Sequence, residues 1–103
     1  KDIMVQHIVL LKLKEGTTHN QTQAVLDGLT GLIGKLPGIL SVIGGENISP
    51  EGKSAGFGWG FVMAFEDLAS RDTYLTHPDH VAVSVKFIRP IVEDVLVFDC
   101  SAG

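Results

Sequence analysis

The sequence predicts a ferredoxin-like α+β domain, with the order β-α-β-β-α-β and one four-stranded antiparallel sheet. Four segments have the composition of β-strands, and helical segments separate the first strand from the second and the third from the fourth. At 103 residues, 45% of them hydrophobic and 19% charged, the chain is long enough for a single domain spanning residues 1–103.

The first strand is predicted over residues 3–13, which are rich in β-branched residues and leucine. Successive side chains of a strand point to opposite faces, so His7 shares one face with Val5 and Val9. The other face carries Ile8 and Leu10. Both faces of this strand are therefore mostly apolar.

The first helix is predicted to open at Thr18, because Gln21 follows three residues later with the spacing of a capping box. Apolar residues recur at helical spacing as far as Leu36, and Pro37-Gly38 ends the helix. Three glycines lie on one side of it and predict the close approach of another element. They are Gly28, Gly31 and Gly34.

Two further strands are predicted over residues 39–44 and 57–65, joined by a long polar loop. The later strand alternates bulky residues, among them Phe57 and Trp59, with an almost bare face. We interpret this bulky stripe as packing inside a barrel or a dimer.

In the second half of the chain, Pro78 is predicted to separate two helices. Asp67 is predicted to cap a second helix that runs to about Thr76, and Pro78 opens a third that stops at Pro90. The fourth strand is predicted over residues 95–100 and is again apolar on both faces. Its last residue, Cys100, is predicted to be buried and inert.

The segment from Tyr74 to His80 contains a phenol, two imidazoles and a carboxylate around Pro78. His77, just before the proline, is predicted to cap or turn the chain. A metal site from His77 and His80 is disfavoured, because no carboxylate follows on the next turn. His19 is predicted to be solvated.

The composition excludes several classes of protein. The net charge of −4 and the lack of a Lys/Arg cluster argue against a nucleic-acid partner. No apolar run approaches the ~20 residues that span a bilayer. The single cysteine excludes an internal disulfide and fits a reducing compartment, so we predict a cytoplasmic protein.

The double-faced strands also predict an assembly. Helices can cover only one face of such a sheet, and the apolar area left on the other face would exceed what a monomer normally exposes. A second copy related by two-fold symmetry would cover it. We therefore predict a homodimer in which two sheets face each other as a barrel. The alternative is that the second face lines a ligand cavity in a monomer.

Several of these segments resemble the stress-responsive dimeric A/B barrel (Dabb) family. They are Val5–Lys14, the long loop before Gly56-Phe57, the Tyr-x-x-His-Pro-x-His segment and Leu96–Asp99. The resemblance implies the same dimeric α+β barrel. The family includes heat-stable plant stress proteins and a plant cyclase that closes a linear tetraketide thioester by aldol condensation.

The resemblance also implies roles for individual residues. His80 matches the cyclase's general base and Tyr74 its hydroxyl partner. Trp59 and Leu29 fall where the cyclase has a histidine and a tyrosine. The implied substrate-binding residues are His7, Trp59, Phe57, His77 and Leu29. Chemistry of this kind needs neither a metal nor a redox cofactor.

The predicted function is therefore the binding of a small apolar, polyketide-like carbonyl compound in an internal cavity, with cofactor-free cyclisation or isomerisation by a histidine base. Two alternatives stay open. One is a non-enzymatic stress protein that sequesters an apolar ligand, and the other is a cofactor-free monooxygenase of aromatic polyketides.

Overall fold

The computed structural model describes residues 3–102. Its strands are β1 (Met4–Leu13), β2 (Ile39–Glu46), β3 (Trp59–Phe65) and β4 (Val92–Ala102). Its α-helices are α1 (His19–Thr30), α2 (Leu68–Thr76) and α3 (Pro78–Val83). None of the helices in this part of the chain is long and apolar enough to cross a membrane.

The four strands form one antiparallel sheet in the order β2-β3-β1-β4, as the ferredoxin-like prediction requires. Strand β1 lies at the centre between β3 and β4. In its register His7 stands opposite Met63 on one side and Asp99 on the other. This pairing places a carboxylate of the last strand beside the histidine of the first.

The hydrophobic core lies between the sheet and the helices. The alternate residues of β1 and β3 that point to the helices are buried, which confirms the strand pattern read from the sequence. The largest fully buried side chains come from strands β1 and β3 and from helices α1 and α2. They are Tyr74, Phe65, Leu11, Leu29, Met63, Val5 and Val25.

The opposite side of the sheet, which we call the open face, has no helix over it. Large apolar side chains there are exposed, including Ile43 at 66% and Phe98 at 61%. Edge strand β4 is exposed on its helix side as well, since Val95 and Val97 are 41% and 55% exposed. Cys100 also lies exposed on the open face, so the prediction that it is buried is wrong for a single chain.

Helix α1 begins as predicted and ends earlier. Thr18 accepts a hydrogen bond from the Gln21 amide, and the Gln21 side chain accepts one from the Thr18 amide. The helix ends at Thr30 rather than near Leu36 and gives way to turns in which the amides of Leu32 and Ile33 bond to carbonyls three residues back. Gly34 then has a φ of +88°, which no right-handed helix accommodates, so the helix cannot continue to Leu36. Leu36 is nevertheless buried, through turns that bring it back to the core.

Of the three glycines in this region, Gly28 alone approaches another element. A Cβ there would lie 3.1 Å from Val83 and 3.2 Å from Phe87. A Cβ at Gly31 would meet only carbonyl oxygens of α1 itself, and one at Gly34 would meet open space. The prediction of a glycine stripe is therefore right for one residue of the three.

The remaining boundaries shift by a few residues. Strand β2 continues to Glu46, β3 begins at Trp59 rather than Phe57, and β4 begins at Val92. The predicted third helix is α-helical only to Val83. It continues as a π-helical turn over Ser84–Ile88 and a 3₁₀ turn over Arg89–Ile91, which contains Pro90. Single π turns are frequent at functional sites.

Gly38 connects α1 to β2 at a crowded position, and its replacement by alanine is expected to destabilise the protein. Its φ is +85°, and a Cβ there would overlap the Ser70 side chain at 2.3 Å or less. The left-handed backbone alone costs about 1 kcal/mol and the overlap adds about 1–3 kcal/mol. The control is Gly16→Ala, where φ is +83° and no atom lies within 4 Å. Urea unfolding that shows equal losses for both variants would contradict the steric part of this prediction.

Candidate active site

The bend at His77 and Pro78 positions the candidate residues. His77 has an extended backbone (φ −67°, ψ 134°) between α2 and α3, and its Nδ1 accepts a hydrogen bond of 3.0 Å from the Asp79 amide. His77 therefore caps α3, as the sequence predicts, and Pro78 occupies the first helical turn, where its missing N–H is not needed.

Because α2 and α3 meet at this bend, Tyr74 of α2 and His80 of α3 stack face to face. Their ring centroids are 3.9 Å apart and their planes are inclined by 30°. The His80 Nδ1–H donates to the backbone carbonyl of Leu75 at 3.3 Å. In the neutral imidazole this bond leaves the Nε2 lone pair free to accept a proton.

Tyr74 lies at the centre of an aromatic cluster on the helix side of the sheet. Its ring centroid is 5.1 Å from that of Phe65 and 5.9 Å from that of His7. Tyr74 is 1% exposed and His7 is 5% exposed, whereas His80 is half-buried. His80 is thus the member of the cluster through which solvent or a ligand first reaches it.

A chain of ionic hydrogen bonds holds His7. Its Nδ1 lies 2.7 Å from Oδ1 of Asp99, and Nη1 of Arg71 lies 2.6 Å from the other carboxylate oxygen, Oδ2. Asp99 and Arg71 are each about one-fifth exposed. Arg71 also contacts the exposed Asp72 at 2.9 Å. Charge-assisted bonds of this length orient both partners strongly.

The surroundings shift two pKa values in opposite directions. Burial raises the pKa of the Tyr74 phenol, so Tyr74 remains a hydrogen-bond donor at neutral pH. Burial lowers the pKa of His80 below its usual value of 6.5, and charge on His7 lowers it further. The carbonyls of Leu75 and Tyr74 offset part of this effect. His80 is therefore neutral at pH 7.

The other residues implied by the resemblance lie elsewhere. Trp59 stands opposite Leu11, four residues along β1 from His7 and roughly 13 Å away along the strand. It is 4% exposed and borders a cleft of about 250 Å³ beside the start of α1, where His19 also lies. Leu29 is fully buried in the core, and Phe57 is partly exposed just before β3.

Sequence reasoning missed Arg71 and Asp99. The signal that could have found Asp99 is that it is the one carboxylate within the strand predicted over residues 95–100, at the position where antiparallel pairing with β1 meets His7. Arg71 gave no signal, because a charged residue on a short amphipathic helix is ordinary. Among residues 3–102, no three His, Cys, Asp or Glu side chains converge in a way that would hold a metal ion.

Residues 5–102 match the family described as Stress responsive A/B Barrel Domain. The olivetolic acid cyclase of Cannabis sativa is 26% identical over 95 residues, which are 92% of this chain and 93% of the cyclase. A dimeric ferredoxin-like protein from Jannaschia sp. is 27% identical, with a TM-score of 0.77 over 96% of this chain and 99% of that one. Hydroxynitrile lyase from Passiflora edulis, 19% identical, covers 100% of this chain and 96% of its own with a TM-score of 0.83, which shows a shared fold. The chain belongs to the stress-responsive A/B barrel domain family.

Proposed function

We propose that this protein is a homodimeric, cofactor-free acid–base enzyme that cyclises or isomerises a small apolar carbonyl compound. One observation carries the proposal. A neutral imidazole with a free Nε2, that of His80, stacks at 3.9 Å on a phenol that burial keeps protonated, that of Tyr74. A base and a hydrogen-bond donor thus lie side by side in apolar surroundings.

The chemistry that suits this pair is removal of a proton from a carbon between two carbonyl groups. His80 Nε2 would take the proton, and the electron pair of the broken C–H bond would move onto a carbonyl oxygen. The Tyr74 hydroxyl would donate a hydrogen bond to that oxygen as its negative charge develops. Such a step needs no metal or redox cofactor, because the two carbonyls themselves stabilise the carbanion.

A relative supports this class of chemistry, and the apolar surroundings of His80 narrow the range of substrates. The olivetolic acid cyclase, at 26% identity, is by its name an enzyme that closes a ring. The rings beside His80, those of Tyr74 and Phe65, are buried and make its surroundings apolar. We therefore expect a substrate with a larger apolar part and fewer polar groups than a tetraketide thioester.

The homodimer is part of the proposal. The open face exposes a row of apolar side chains on three strands, among them Ile43, Leu96 and Phe98. The Jannaschia protein, which shares the fold at a TM-score of 0.77, is described as dimeric. A second copy of this chain would remove the exposed row from water.

A ligand-sequestering protein without turnover is the second candidate. It is favoured by the shielding of the aromatic cluster from solvent, since Tyr74 and His7 are only 1% and 5% exposed. Native mass spectrometry of the purified protein distinguishes the two candidates when it is combined with a turnover assay. A retained apolar ligand together with no turnover of any poly-β-ketone would favour sequestration.

Replacing His80 by glutamine is expected to lower kcat on a linear poly-β-keto thioester by about 10²–10⁴-fold, the usual contribution of a general base. The wild-type rate should also depend on pH. The base acts only when it is unprotonated, so the rate falls as the pH drops through the lowered pKa of His80, below 6.5. The stability contribution has the same sign, since a histidine whose pKa is lowered on folding destabilises the folded state as it protonates.

The control for this experiment is His19→Gln, an exposed histidine at the start of α1. It should leave both the rate and the pH profile unchanged. A kcat that His80→Gln does not alter, or an acid limb centred above pH 6.5, would remove His80 as the base.

A further inference from the structure

The two histidines of the cluster are held in the same way. Each has its Nδ1 bonded to a fixed oxygen, that of the Leu75 carbonyl for His80 and that of the Asp99 carboxylate for His7. A carboxylate only accepts hydrogen bonds, so the His7 Nδ1 must carry the proton. In the neutral ring, His7 Nε2 is then a hydrogen-bond acceptor.

Arg71 fixes which oxygen of Asp99 faces His7. Its guanidinium donates to Oδ2 of Asp99, which leaves Oδ1 to face His7. The pair reaches the site from α2 and β4, so two elements besides its own strand hold the orientation of His7. The carboxylate is a positioning group, and it acts on the site through His7.

We propose that Asp99 and Arg71 hold His7 in the tautomer that accepts at Nε2, so that the site recognises the enol form of a 1,3-dicarbonyl compound. This inference rests on the proposed function and deepens it. The enol O–H would donate to His7, and the carbonyl next to the enol would accept from Tyr74. The C–H that His80 deprotonates would lie on the other side of that carbonyl, between it and the next carbonyl of the poly-β-ketone. A substrate with two carbonyls but no enolisable hydrogen between them would lose one of these two bonds.

The decisive variant is Asp99→Asn. An asparagine has one accepting oxygen and one donating NH₂ group, and Arg71 can bind only the oxygen. The NH₂ group must then face His7 Nδ1, which has to accept, and the proton moves to Nε2. The substitution is nearly isosteric, and it is expected to invert the His7 tautomer.

The experiment is NMR of the protein with ¹⁵N-labelled histidine at mildly alkaline pH, with pentane-2,4-dione as the probe. In the wild type we expect an unprotonated Nε2 resonance for His7 that moves as the dione is titrated. In Asp99→Asn we expect a protonated Nε2 and no such shift. The matched control is Asp72→Asn, which alters the other, exposed partner of Arg71 and does not touch His7.

The outcomes divide clearly. A tautomer inverted in Asp99→Asn and retained in Asp72→Asn, with the dione shift lost only in the former, supports the inference. A protonated Nε2 in the wild type, an unchanged tautomer in Asp99→Asn, or a wild-type resonance that the dione does not move would overturn it. The NMR result needs no turnover, so its failure is distinct from a failure of the His80 assay, which would remove the proposed reaction.

Discussion

Replacing Leu96 and Phe98 by glutamate is expected to convert the proposed dimer into monomers. Both residues lie on the open face of edge strand β4, where they are 51% and 61% exposed in the single chain. In a dimer of facing sheets they would be buried against the partner. The double variant would place four carboxylates in that interface, two from each copy.

The expected effect is large because an unpaired carboxylate must lose its hydration to enter an apolar interface. A loss on the order of 4 kcal/mol would raise the dissociation constant by about 10³-fold. Sedimentation velocity at micromolar concentration should therefore show a dimer for the wild type and a monomer for the variant.

Ile48→Glu is the matched control, since Ile48 is a large apolar residue of the loop between β2 and β3 and is 91% exposed. It adds the same type of charge in a loop outside the four strands and should leave the dimer intact. A wild type that sediments as a monomer would contradict the proposed dimer. A double variant that stays dimeric would show that the interface does not involve Leu96 and Phe98.

Replacing Tyr74 by alanine is expected to have the largest effect on folding. Tyr74 is the largest fully buried side chain, and it packs against Phe65, His7 and His80 at ring distances of 3.9–5.9 Å. Removing a large aromatic ring from a core costs about 3–5 kcal/mol. For a domain of this size such a loss lowers Tm by more than about 10 °C.

Tyr74→Phe separates packing from chemistry. It keeps the ring and removes the hydroxyl, so we expect a change in unfolding free energy of less than about 1.5 kcal/mol and a marked loss of kcat. Leu75→Ala, an exposed neighbour on the same helix, is the control for helix α2. A Tyr74→Phe enzyme with wild-type kcat would leave Tyr74 a purely structural role.

The capping signals could be read from the sequence because their physics is local. Thr18 with Gln21, and Pro78 after His77, satisfy backbone groups within four residues of themselves, so their partners are close along the chain. The end of α1 was misjudged for the complementary reason. Leu36 is buried by a turn, and an apolar residue at helical spacing looks the same whether a helix or a turn buries it.

In the candidate site, too, residues close together in the chain could be predicted and residues far apart could not. Tyr74, His77 and His80 lie in one short segment, and the resemblance to a known family singled out Tyr74 and His80. Asp99 lies 92 residues from His7, and only the pairing of β1 with β4 brings the two within 2.7 Å. Trp59 and Leu29, implied as lining residues, turned out to be buried, because the core closes around them.

Local patterns were enough to predict the order of strands and helices, a dimer from the strands that are apolar on both faces, and the proline bend beside Tyr74 and His80. These follow from periodicity and backbone restriction, which act over a few residues. Which charged side chains meet could not be predicted in this way, because it depends on the folded arrangement of distant segments. The chain from Arg71 through Asp99 to His7 depends on strand register and on the docking of α2, and neither leaves a pattern in any one segment.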